Sequence, residues 1–110
     1  MSKQKKKLVV KNEFRFNNNT KHMNYVFGSS KNRYYSVGLT TESETFNKKN
    51  MPLNANPHNG KTEKSYVRNG IISDRKQAYD RKPNKNWNFS KEDFPKVKSK
   101  IRNYKKGRRK

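Results

Sequence analysis

Asn24-Tyr25-Val26-Phe27-Gly28-Ser29-Ser30-Lys31-Asn32-Arg33-Tyr34-Tyr35-Ser36-Val37 carries the best strand signal of the chain. Two runs of aromatic and β-branched residues flank a loop, Gly28 to Arg33, built from Gly, Ser, Asn and charged residues. That pattern reads as a β-hairpin. Side chains alternate faces along a strand, so Tyr25 shares a face with Phe27, and Tyr35 with Val37. Those four are expected to include the core side. Gly38 closes the second run.

Before the hairpin, Phe14 and Phe16 repeat at period two, and Val9-Val10 extend them into a short edge strand. Residues 17–21 (NNNTK) form a turn by composition. After the hairpin, 41–63 reads as a long irregular loop. Pro52, Pro57, Gly60 and five Asn between 47 and 59 break any period, and Met51 and Leu53 are the only apolar anchors from 47 to 59. A loop this long in a small domain is functional or mobile.

Asn69-Gly70 stands between two β-prone runs. A type I′ turn needs positive φ at both central residues, which Asn-Gly tolerates best, so a second hairpin is expected at 65–73. Residues 74–86 read as a charged loop anchored by Tyr79. Residues 90–106 read as a helix, because Phe94, Val97, Ile101 and Tyr104 are spaced 3, 4 and 3. Ser90 or Asp93 caps its start, and Pro95, tolerated only in a first turn, favours Asp93. Gly107 suits the stop. Trp87 and Phe89 are expected to dock the helix on the sheet.

The expected fold class is α+β: a small sheet of two β-hairpins with a C-terminal amphipathic basic helix. Residues 14–104 form a single domain with the loop 41–63. Residues 1–13 are a basic arm and 105–110 a basic tail, both disordered.

The chain has 110 residues, 29 Lys plus Arg, 8 Asp plus Glu and a formal net charge of +21. Residues 96–110 hold nine Lys/Arg and no acid. Frequent Asn beside Lys points to an AT-rich coding sequence as the origin of part of this charge. That bias explains the scarcity of acids less well. Aromatics make up 12%, more than a disordered chain of this charge would carry. There is no Cys and only two His, which excludes a disulfide scaffold, a Cys-based zinc site and a His-rich metal site. No phosphate-binding glycine loop and no nucleophile elbow occur. No metal and no cofactor are expected. No apolar run approaches the ~20 residues of a membrane span, so the chain reads as cytoplasmic with no membrane partner.

A charge of this density needs a polyanion to offset its self-repulsion. Along the helix, Lys96–Lys100, Lys98–Arg102, Arg102–Lys106 and Lys105–Arg109 are like-charged pairs at i,i+4, each destabilising by a few tenths of a kcal/mol. Phosphates would remove that repulsion and release counterions. The candidate nucleic-acid contacts are therefore Lys98, Lys100, Arg102, Lys105, Lys106, Arg108 and Arg109, assisted by Lys5, Lys6 and Lys7, with RNA favoured over DNA. The plainer alternative is a solvated helix face. Tyr34, Tyr35, Tyr66, Tyr79 and Trp87 interleave with Arg33 and Arg68, a pattern that suits base stacking. The competing use of these rings is the core, which for Tyr25, Phe27, Tyr35, Trp87, Phe89 and Phe94 is the stronger reading.

Two other functions fit the composition, which is like that of small basic proteins of phages, mobile elements and ribosomes. A metal-independent ribonuclease of the toxin type needs a base for the 2′-OH, an acid for the leaving oxygen and cations for the phosphate. His22, Tyr66 and Arg68 are the catalytic candidates for it, with Glu63 and His58 also on offer, and Tyr66 and Arg68 share a strand face. An inhibitor or assembly factor gripping an acidic protein or a ribonucleoprotein is the third reading.

Overall fold

The computed structural model describes residues 9–108, with side chains described through Asn103. Lys5, Lys6, Lys7 and Arg109 lie outside the described residues, as do 1–8 of the arm 1–13 and 109–110 of the tail 105–110, both expected to be disordered.

The alternating segment from Val9 to Thr40 folds into three antiparallel strands: β1 (Val9–Asn17), β2 (His22–Ser29) and β3 (Arg33–Thr40). β1 starts at Val9, so part of the basic arm belongs to the sheet. Phe14 faces Tyr25, and Tyr25 faces Val37. Residues paired across strands share a face, so these three form one apolar row. The NNNTK turn is held by Asn17, whose Oδ1 accepts the N–H groups of Asn19 (2.7 Å) and Thr20 (3.0 Å).

Two short strands follow, β4 (Glu44–Thr45) and β5 (Lys48–Lys49), in a segment expected to be irregular. Their turn is Phe46-Asn47, both at positive φ (53° and 65°), the two-residue geometry that matches strand twist. No Gly marks it in the sequence. β6 (Met51–Pro52) and β7 (Tyr66–Val67) then pair antiparallel, and β7 joins β3 through Leu39–Val67 and Thr40–Tyr66.

The hairpin expected at Asn69-Gly70 is absent. β8 (Ile72–Arg75) also pairs with β3, at Arg33–Arg75 through Ser36–Ile72. β7 and β8 thus lie end to end along β3 rather than side by side. Between them, residues 68–71 oppose only Val37 and Gly38, and Gly70 at φ 85° makes the detour. A strong local turn signal is overridden because both flanking runs gain a partner in β3. The two long hairpins are instead β1–β2 and β2–β3, and the main sheet runs β1-β2-β3-β7-β6 with β8 beside β3.

Helix α1 (Asp93–Arg108) covers the apolar face. Val97 and Ile101 join Phe14, Tyr25, Val37, Leu39, Leu53 and Val67 in the core, with Phe27, Trp87, Phe89 and Phe94 packed against it. Burying a residue such as Leu53 or Val97 contributes roughly 1.5–3 kcal/mol. Tyr35, expected in the core, is half-buried and outside this cluster, near one end of β3, while Leu39 near the other end takes the core position. The helix start also differs. Ser90 caps it, its Oγ accepting the Asp93 N–H (3.1 Å). The fully buried Asp93 carboxylate instead accepts the amides of Asn54 (2.8 Å) and Ala55 (3.1 Å), tying the loop to the helix. The helix continues through Gly107.

Around Asn24 and Ser36 the second face of the sheet is covered by Tyr79, from the segment 76–84, and is largely polar. Asn24 Nδ2 donates to Ser36 Oγ (3.0 Å), Ser36 Oγ and Tyr79 OH share a hydrogen bond (2.8 Å), and Asn17 Nδ2 donates to Asp74 (2.9 Å). The same segment pairs with β1 through Asp80 N to Phe16 O and Asn84 N to Phe14 O, covering its edge.

Candidate nucleic-acid interface

The scarcity of acids sets the electrostatics. Among the described residues the ion pairs are Lys11–Glu13 (3.8 Å), Arg15–Glu13 (2.9 Å) and Lys96–Asp93 (3.4 Å). The remaining described Lys and Arg make no ion pair with a carboxylate among the described residues.

Helix α1 presents part of that surplus. Lys98 and Arg102 are exposed and Lys100 half-buried, while Val97 and Ile101 turn inward. Lys98 Nζ lies 5.0 Å from the Phe94 ring centroid, a cation–π contact that holds the ammonium at the helix surface. Lys96 and Lys100 border a groove of about 590 Å³ floored by Val37, Met51, Ile71 and Ile101. Lys105, Lys106 and Arg108 continue the helix, with side chains beyond those described.

Most rings that suit stacking are already in use. Tyr79 is 2% exposed and meets Tyr34 edge-on at 5.1 Å. The Tyr34 ring carries Arg15 at 4.9 Å and Lys76 at 5.3 Å. Trp87 stacks on Phe14 at 6.1 Å and on His58 at 4.4 Å, the latter nearly parallel at 8°. Tyr35 and Tyr66, both half-buried, remain.

His22, Tyr66 and Arg68 come together on one face. The β1–β2 register puts His22 on the face of Asn24, Asn24 pairs with Gly38, and Tyr66 pairs with Thr40 two residues further along the same face. Arg68 donates its backbone N–H to Gly38 O (2.8 Å), and its side chain lies over Gly38. His22 Nδ1 is 3.1 Å from Leu39 O. A carbonyl can only accept, so Nδ1 carries the proton and Nε2 of the neutral ring is free to take one. Burial lowers the His22 pKa, the Arg68 charge lowers it further, and the Leu39 hydrogen bond opposes both.

Beside His22 opens a cleft of about 450 Å³ that Tyr66 and Arg68 do not line. Lys21, His58, Lys61, Glu63 and Trp87 line it with His22. With Glu42 also on its wall, it assembles two imidazoles, two carboxylates and two ammonium groups from segments remote in sequence. Among the described residues no group of three His, Cys, Asp or Glu is placed to hold a metal. No helix among them is long and apolar enough to cross a membrane.

The chain matches no family model, no curated protein and no solved structure.

Proposed function

We propose that this protein binds nucleic acid in the cytoplasm, RNA in preference to DNA, chiefly through phosphate contacts. The observation that carries this reading is the unpaired cation surface: exposed Lys and Arg on α1 and the sheet ends, with so few carboxylates near them. Lys98, Lys100 and Arg102 supply contacts on the helix, continued by Lys105, Lys106, Arg108 and Arg109, with Lys5, Lys6 and Lys7 from the other end. Stacking is a lesser contribution, because Tyr34, Tyr79 and Trp87 are engaged internally. The test is fluorescence anisotropy with single-stranded RNA, double-stranded RNA and duplex DNA of equal length. Binding that weakens steeply with salt, and a flatter dependence after truncation beyond Asn103, is expected. Affinity independent of salt contradicts the reading.

A second reading has its own support. His22, held in the tautomer with Nε2 free and beside the Arg68 cation, has the arrangement of a general base for a 2′-OH. Metal-independent RNA cleavage then requires labelled RNA to decay in EDTA with the wild-type protein and to survive with His22→Ala. RNA that stays intact with the wild type, ribosomes included, excludes it.

A further inference from the structure

In the register of β3 and β8, Arg33 stands directly opposite Arg75. Like charges facing each other across strands repel, whereas an acid at one of the two positions would stabilise the pair. None is there. Arg33 is fixed: its Nε donates to Ser73 Oγ (2.8 Å) and its Nη2 to Ser73 O (2.8 Å). Its Nη1 has no hydrogen-bond partner among the described residues. Arg75 is exposed, and its side chain makes no hydrogen bond or ion pair to a described residue. The pair lines a concavity of about 440 Å³ with Asn32 and Gln77. Every one of those four side chains can donate a hydrogen bond, and none is acidic. Asp74 borders the adjoining depression, where its carboxylate is engaged by Asn17 Nδ2 (2.9 Å).

We infer that Arg33 and Arg75 form a phosphate clamp that seats a phosphodiester of a bound nucleic-acid strand, at the sheet and separate from the helix cations. This rests on the nucleic-acid reading above. Arg33, locked by Ser73, offers a preset guanidinium, and Arg75 closes from the opposite strand. Asn32 and Gln77 supply neutral donors to the remaining oxygens. Two guanidinium groups match the oxygens of one phosphate better than ammonium groups, because their forked N–H donors bind in pairs. The phosphate also removes the repulsion that the empty pair carries.

The test uses the full chain, Arg75→Gln, and Lys91→Gln as an exposed-charge control. One arm titrates inorganic pyrophosphate and follows the Arg Nε–H resonances by NMR. The other measures affinity for single-stranded RNA. The expected results are shifts at Arg33 and Arg75 with pyrophosphate, a melting temperature for Arg75→Gln no lower than wild type, and an RNA affinity about tenfold weaker than that of Lys91→Gln. RNA binding that falls equally in both variants, with Arg33 and Arg75 unmoved by pyrophosphate, overturns the clamp and leaves the nucleic-acid reading standing. Pyrophosphate shifts at the pair without any RNA affinity overturn the nucleic-acid reading and make the site one for a small phosphate ligand.

Discussion

Arg68 crosses β3 at the one position of that strand with no side chain: a Cβ on Gly38 would stand 3.1 Å from Arg68 Cδ and 3.3 Å from Asn24 Oδ1. Glycine here makes room for a close approach, since φ at Gly38 is not positive. Arg68 is thereby brought within electrostatic reach of His22. Gly38→Ala should destabilise the protein by about 1–2 kcal/mol, because Asn24 is fully buried and held by Ser36. Chemical denaturation measures this.

Arg68→Ala should raise the His22 pKa by removing the neighbouring cation, read from imidazole resonances in an NMR titration. The sign for stability follows from the lowered folded-state value. The unfolded chain takes up the proton first, near pH 6.5, so stability is full above that pH and falls as pH drops towards the folded-state pKa. Arg68→Ala should narrow that window.

Asp93 behaves as a buried structural carboxylate. Burial by itself raises its pKa, but the amides of Asn54 and Ala55, with Ser90 and Lys96, outweigh burial and hold it below its ordinary value. Its contribution is present above the unfolded carboxyl pKa and is lost as pH falls through the lower folded value. Asp93→Asn should remove about 1–3 kcal/mol at neutral pH and weaken the acid dependence of unfolding.

Phe46 is 88% exposed and sits at φ 53°. A left-handed conformation is unfavourable for such a side chain, and little burial offsets it. Phe46→Gly should therefore stabilise the fold by about 1 kcal/mol, measured as a rise in melting temperature.

The main hairpin and the helix are legible in the sequence because their patterns are local: aromatic alternation at 24–37 and the 3-4-3 stripe at 94–104. The course of β7 and β8 is not. Asn69-Gly70 carries a hairpin signature, yet the pairing of both segments with β3 depends on long-range partners that no local motif encodes. The turn at Phe46-Asn47 leaves no sequence signal because Phe is an unexpected residue for positive φ. For the site, the shared face of Tyr66 and Arg68 follows from strand alternation, whereas the arrival of His22 beside Arg68 depends on β3 carrying Gly38 between them. The Arg33–Arg75 opposition arises from register alone. Tyr79 reads as an anchor from the sequence, but its hydrogen bond to Ser36 belongs to a polar layer for which the composition holds no signal.

Phosphate binding by the basic surface is read from the slope of log affinity for single-stranded RNA against log salt concentration. The wild type should show a steep negative slope. Replacing Lys98, Lys100 and Arg102 together with Gln should reduce its magnitude by about 2, near 0.7 for each phosphate no longer neutralised, with the fold intact by circular dichroism. A wild-type slope near zero, or a triple variant with an unchanged slope, would rule out phosphate binding by this surface.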